Sequence, residues 1–143
     1  MSGDDAAEIH EIIDAFAKTA ALCKEAGVGW RRGACRARGY LLDQFTLKYT
    51  NHRTDQFGGS FENRYRFATA IVKKIKAACG NDYPVSLRYS VVSKTKDFCV
   101  GAMPGEEYTE IGRDNGRKMK KRQNNLQDAG YDMLNARQWY LRR

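Results

Sequence analysis

Apolar residues recur at three- and four-residue steps near the start of the chain: Ile9, Ile12, Ile13, Phe16, Ala20 and Cys23. That spacing gathers them into one stripe and predicts an amphipathic helix over residues 5–26. Asp5 can cap its start with Glu8 three residues on, and Gly27 supplies a left-handed stop. A second stripe, Phe61, Tyr65, Ala68, Ile71, Val72 and Ile75, predicts a helix running to about Cys79. Ser60 can cap it, Glu62 favours its first turn, and Gly80 ends it. From Pro84 to Val92 the period changes to two. Val85, Leu87, Tyr89 and Val91 alternate with Ser86, Arg88 and Ser90, the pattern of a strand. Leu126 and Ala129 support a third helix before Gly130, and Tyr131 to Ala136 reads as a second strand.

Three stretches fit neither period. Residues 29–38 (Gly-Trp-Arg-Arg-Gly-Ala-Cys-Arg-Ala-Arg) show no helical or strand pattern. Residues 40–60 read as a long loop ending in Gly58-Gly59-Ser60. Residues 93–112 read as another, around Met103-Pro104-Gly105. Helices and strands otherwise alternate, which is the rhythm of βα units on a parallel sheet and places the chain in the α/β class. A strand is due at residues 29–36 and the pattern supplies none. At 143 residues the chain has the length of one domain. It falls well short of the roughly 250 residues of a closed (β/α)8 barrel.

Charge changes this picture at three places. The net charge is +8, which invites a nucleic-acid reading. The excess sits in Arg31, Arg32, Arg36 and Arg38, in Arg117 to Arg122, and in Arg137, Arg142 and Arg143; the rest is net acidic. These segments show no helical face or known binding module, so phosphate contacts with Trp30 or Trp139 stacking stand as the alternative reading. No apolar window is long enough for a membrane span, and the acidic start lacks the apolar core of a signal peptide. A cytoplasmic location is expected. Cys23, Cys35, Cys79 and Cys99 have no CxxC spacing and lie near neither His10 nor His52, so neither disulfides nor a metal site is expected.

One stretch carries a specific signal. Gly39-Tyr40-Leu41-Leu42-Asp43-Gln44-Phe45 is followed by Asn51-His52-Arg53-Thr54-Asp55-Gln56-Phe57-Gly58-Gly59-Ser60 and then Phe61-Glu62-Asn63-Arg64-Tyr65-Arg66-Phe67. This resembles the signature of the Old Yellow Enzyme and 2,4-dienoyl-CoA reductase family, at the family spacing. The helix before it and the strand after it also fit. Within the family the resemblance is nearest to bile-acid-inducible flavin oxidoreductases that act on the C4–C5 double bond of 3-oxo bile-acid CoA thioesters.

The resemblance implies part of a (β/α)8 barrel, its middle βα units, binding FMN and using NAD(P)H as hydride donor. It implies a reaction at a C=C bond conjugated to a carbonyl, in an enone or enoyl substrate that includes CoA-linked steroids. No nucleic-acid or membrane partner is implied. By position Tyr40 would be the acid that protonates the α-carbon. Arg88 would lie beside the flavin and stabilise its anionic reduced form. Arg53, Asp55, Glu62, Asn63 and Arg64 read as a lattice that satisfies the long loop's backbone. Larger family members carry a 4Fe-4S centre, for which this chain has no cysteine cluster.

The chain departs from the family just before Gly39, where a strand of the type Asp-Gly-Val-Glu-Val-His is expected. Back-translating residues 29–38 and dropping one base permits Asp-Gly-Val-Glu-Val-His-Ala-Val-His-Glu. A shift of residues 137–143 permits Asp-Asn-Gly-Thr-Tyr-Asp, and one from Asn115 permits an acidic helix start. Residues 29–38, 115–125 and 137–143 are therefore expected to be out of frame, with an early stop. On this reading the 143-residue chain by itself binds no FMN and is an inactive product of a reductase gene.

Overall fold

The two apolar stripes pack against each other and against one face of a parallel sheet. In the computed structural model, residues 4–27, 31–34, 41–46, 51–93, 99–100, 109–110 and 119–139 are described. Helix α1 (Asp4–Glu25) buries Ile9, Ile13, Ala17 and Ala20. Helix α3 (Phe61–Cys79) buries Phe67, Ala68, Ile71, Val72 and Ile75. Ser60 caps α3 as its spacing predicts, with its Oγ accepting from the Asn63 N–H at 3.2 Å. Gly80, at φ 88°, ends it and returns its own N–H to the Lys76 carbonyl at 2.8 Å.

Strand β2 (Val85–Ser93) is the centre of a three-stranded sheet, flanked by β1 (Arg31–Ala34) and β5 (Met133–Trp139). Both pairings are parallel. β1 aligns Arg31 with Val85 and Ala34 with Arg88, while β5 aligns Leu134 with Leu87 and Asn135 with Arg88. A bulge between Ser90 and Val92 interrupts the second ladder. Strands consecutive in the order β1, β2, β5 need helical crossovers to run parallel. Helix α3 supplies the first and α4 (Met119–Asp128) the second.

Helices α1, α3 and α4 share one core with one face of this sheet. Ile9, Phe67, Val72, Val85, Leu87 and Leu126 belong to a single buried cluster, with Leu134 packed against it. Phe67, Val72 and Leu126 have no exposed surface. Burying each such side chain stabilises the fold by about 1.5–3 kcal/mol. Because strand side chains alternate, Ser86 and Arg88 occupy the opposite face from Val85 and Leu87.

The amino ends of the strands are tied to the end of α3. Lys76 Nζ donates to the carbonyls of Asn81 and Tyr83, both at 2.8 Å, and to Asp132 Oδ2 at 2.7 Å. Asp132 Oδ2 also accepts the Val85 N–H at 2.7 Å. Partial burial pushes the Asp132 carboxyl up, but the Lys76 ammonium and the Val85 N–H outweigh it and hold it below its ordinary value. Lys24, in the last turn of α1, donates to the Cys79 carbonyl at the end of α3 at 2.8 Å.

The structure corrects three expectations. A strand does form where the pattern supplied none. Parallel pairing uses backbone groups, so Arg31–Ala34 can complete the ladder to β2 with side chains that would not predict a strand. Residues 40–60 are not all loop. Leu41–Thr46 forms a short helix, α2, because Leu42 and Phe45 stand three apart and pack onto α3, with the Phe45 and Phe67 ring centroids 4.5 Å apart. Within 93–112, β3 (Cys99–Val100) and β4 (Thr109–Glu110) form a two-residue antiparallel ladder.

Candidate functional site

The motif loop between α2 and α3 is held by side chains that bond to its own backbone. Asn51 is buried and spends its amide on two carbonyls, donating to Phe45 at 2.6 Å and Phe57 at 2.8 Å. Its Oδ1 accepts the Arg53 N–H at 3.0 Å. Asp55 accepts the Arg53 Nε at 3.1 Å and the Phe57 N–H at 3.0 Å. The Arg53 guanidinium is the main reason that the Asp55 carboxyl sits below its ordinary value; partial burial opposes it and the Phe57 N–H adds to it. Arg64 is buried, donating from Nε to the Thr46 carbonyl at 3.0 Å and from Nη1 to the Gly59 carbonyl at 2.6 Å. Arg66 reaches the Gln56 carbonyl at 2.8 Å and Asn63 Oδ1 at 2.9 Å. Of the residues expected to form the lattice, Arg53, Asp55, Glu62, Asn63 and Arg64, all but Glu62 make the bonds given above, and the buried Asn51 joins them.

Two features make this loop's shape specific. A Cβ at Gly58 would stand 2.0 Å from the Arg53 carbonyl oxygen, which no side chain can occupy. Gly59 has open space around it but a φ of 75°, which favours glycine. Phe57 then closes the loop onto the core, 1% exposed, with its ring edge-on to His10 of α1 at 5.9 Å and to Phe45 at 6.3 Å.

Arg88 lies on the sheet face that the helices leave, half-buried, in the first half of β2. Its register partners are Ala34 in β1 and Asn135 in β5. The core-facing position of Leu134 puts Asn135 on the face of Arg88, so a cation and an amide share one row across the sheet. Sequence reasoning missed Asn135. Its signal is present: it follows the apolar Leu134 in a strand one crossover beyond Arg88. Tyr40 lies outside the described residues; β1 ends at Ala34 before it and α2 begins at Leu41 after it. The geometry thus locates Arg88 and does not join it to Tyr40.

A half-buried guanidinium beside an amide has the donor chemistry for the pyrimidine edge of a flavin, whose reduced form is anionic. Arg88 and Asn135 fit that role. Phosphate sites of barrel enzymes are commonly built from loops after the seventh and eighth strands, which a three-stranded sheet does not include. Among the described residues no group of three or more His, Cys, Asp or Glu could hold a metal ion. No described helix is long and apolar enough to cross a membrane.

Residues 4–136 match the model of the NADH:flavin oxidoreductase / NADH oxidase family. A cinnamate reductase from Clostridium sporogenes is 48% identical over 129 residues, which is 90% of this chain and 19% of that enzyme. The chain thus spans about a fifth of the length of this curated relative. Among solved structures, an Old Yellow Enzyme homologue from Zymomonas mobilis superposes with a TM-score of 0.68 at 23% identity, covering 99% of this chain and 35% of that one. A 2-naphthoyl-CoA reductase in complex with 2-naphthoyl-CoA superposes with a TM-score of 0.68 at 26% identity, covering 93% and 18%. These neighbours share the barrel fold of the Old Yellow Enzymes, of which the three strands and their helices are a part. On the match over residues 4–136, the chain belongs to the NADH:flavin oxidoreductase / NADH oxidase family.

Proposed function

We propose that this chain is the middle part of the barrel of a flavin-dependent reductase acting on a C=C bond conjugated to a carbonyl. The observation that carries this is the 48% identity to a cinnamate reductase over 90% of the chain. FMN, when bound, supplies hydride transfer between NAD(P)H and the alkene. In this reading Tyr40 gives the proton to the α-carbon, and Arg88 sets the charge beside the flavin. The motif loop holds α2, which begins one residue after Tyr40 in sequence, against α3.

Within enones and enoates, two substrate classes are in view. Free aryl enoates follow from the cinnamate reductase. CoA thioesters, including the 3-oxo-Δ4 bile-acid class, follow from the motif and gain support from the likeness to a reductase seen with 2-naphthoyl-CoA. Residues 29–38, 115–125 and 137–143 are read as out-of-frame segments of the same reductase.

The test is a chimera in which residues 39–114 of this chain replace the matching segment of the cinnamate reductase, with a Tyr40→Phe partner. The parent chimera is expected to oxidise NADH only when an enoate or enoyl-CoA is supplied. Tyr40→Phe should slow reoxidation by the alkene about 10²–10⁴-fold, the usual worth of a positioned acid, and leave reduction by NADH unchanged. An unaltered alkene rate in Tyr40→Phe would remove Tyr40 from the chemistry. A properly flavinated chimera that turned over no enone, enoate or enoyl-CoA would remove the substrate class.

A further inference from the structure

We propose that Arg64 and Asn51 are positioning residues for the proton transfer. They hold the carbonyl end of α2, and through that helix they set the place of Tyr40, the residue that leads into it. The proposal rests on the reading of Tyr40 as the acid.

Helix α2 (Leu41–Thr46) is too short to define its own position. Six residues make a rod about 9 Å long, and a helix of that length is not stable by itself. Its place comes from what it touches. Leu42 is buried in the core, and the Phe45 ring lies against that of Phe67. Apolar contacts are non-directional, so these two bring α2 to the core without fixing its tilt. The directional contacts sit at its carbonyl end, where the last C=O groups of a helix have no partner within it. Asn51 Nδ2 donates to the Phe45 carbonyl at 2.6 Å, and Arg64 Nε to the Thr46 carbonyl at 3.0 Å.

Arg64 does more than fasten a loop. An arginine is almost never fully buried unless paired, yet Arg64 is 7% exposed and bonds to two neutral carbonyls, those of Thr46 and Gly59. A guanidinium adds two things that an amide lacks. Its positive charge is favoured at the carbonyl end of a helix, and its donors form a rigid planar fork. Nε takes the end of α2, while Nη1 takes Gly59, the residue before the Ser60 cap of α3. One rigid group therefore locks the carbonyl end of α2 to the start of α3.

Leverage carries this to the chemistry. Tyr40 lies outside the described residues, but its bond to Leu41 sets the two Cα atoms about 3.8 Å apart across a trans peptide. A tilt of α2 by about 10° about its carbonyl end moves its entry end by about 1.5 Å over the length of the rod. A misplacement of about 1 Å at a reacting group lowers the rate about 10²-fold.

The test is a double-mutant cycle in the cinnamate reductase chimera that carries residues 39–114, with the two half-reactions followed separately. Arg64→Met removes both donors and keeps most of the volume. It should slow reoxidation by cinnamate about 10²-fold and leave the FMN content and the reduction by NADH unchanged. Combined with Tyr40→Phe, it should be about as slow as Tyr40→Phe alone, because displacing an acid that is already absent loses nothing further. Penalties that multiply, a parent-like rate in Arg64→Met, or a fall in both half-reactions together would overturn the proposal. Should Arg64→Met not retain FMN, the same cycle is read on Arg64→Lys, which keeps the charge and gives up the fork. There a partial loss confined to the alkene step, and absent in the Tyr40→Phe background, is expected, and its failure to appear overturns the proposal equally. A parent-like alkene rate in Tyr40→Phe itself overturns the reading of Tyr40 and this proposal with it. A slow Tyr40→Phe beside a fast Arg64→Met overturns this proposal alone.

Discussion

Gly58 shows how tightly one position can be set. The Arg53 carbonyl oxygen stands 2.0 Å from where a Cβ would be, with the Arg53 Cβ at 2.6 Å. Both belong to a stretch fixed by Asn51 and Asp55, so neither can move without breaking the lattice. Gly58→Ala should therefore cost about 2–4 kcal/mol, among the larger effects of a single substitution. The urea midpoint of the unfolding transition measures it. Gly59→Ala should cost less, about 1 kcal/mol, because only its φ opposes a side chain. The sequence displayed both glycines and could not rank them. The ranking comes from which neighbour's backbone crosses behind each, a contact that no local pattern encodes.

At the scale of elements, the long helices were legible because stripe, cap and stop agreed: Ser60, the Ile71–Ile75 stripe and Gly80 all delimit α3. Helix α2 was not, because six residues are too few to establish a period beside a glycine-rich loop. Strand β1 was illegible for another reason: Arg-Arg-Gly-Ala shows no period of two, and its pairing with β2 runs through backbone groups. The clasp at Lys76 is likewise invisible in sequence, since it joins residues 56 apart. Lys76→Met should cost about 1–3 kcal/mol by leaving Asp132 and the Asn81 and Tyr83 carbonyls without that donor. The pH response gives its signature. The folded value of Asp132 lies below its ordinary 3.8, so its contribution is full above pH about 3.8 and is lost as pH falls through the folded value. Lys76→Met should flatten that acid-side loss in thermal melts between pH 5 and 2, whereas an unchanged slope would assign it to other carboxylates such as Asp55.

At the scale of the whole molecule, the sheet has three strands, with Arg88 and Asn135 in one row on the face away from the helices. On the proposed reading Arg88 and Asn135 would meet a flavin ring, while the described strands include no seventh- or eighth-strand loops for its phosphate, which sets a definite expectation. The purified 143-residue chain should show no stoichiometric flavin spectrum after incubation with FMN, and one bound FMN per chain would contradict it. The motif that names the family has a consequence for how such enzymes diversify. Asn51, Arg64 and Arg66 direct donors to the carbonyls of Phe45, Phe57, Thr46, Gly59 and Gln56. A signature that reads its own backbone is indifferent to what the enzyme reduces. Substitutions in neighbouring loops can therefore leave the bonds within Gly39 to Phe67 unaltered.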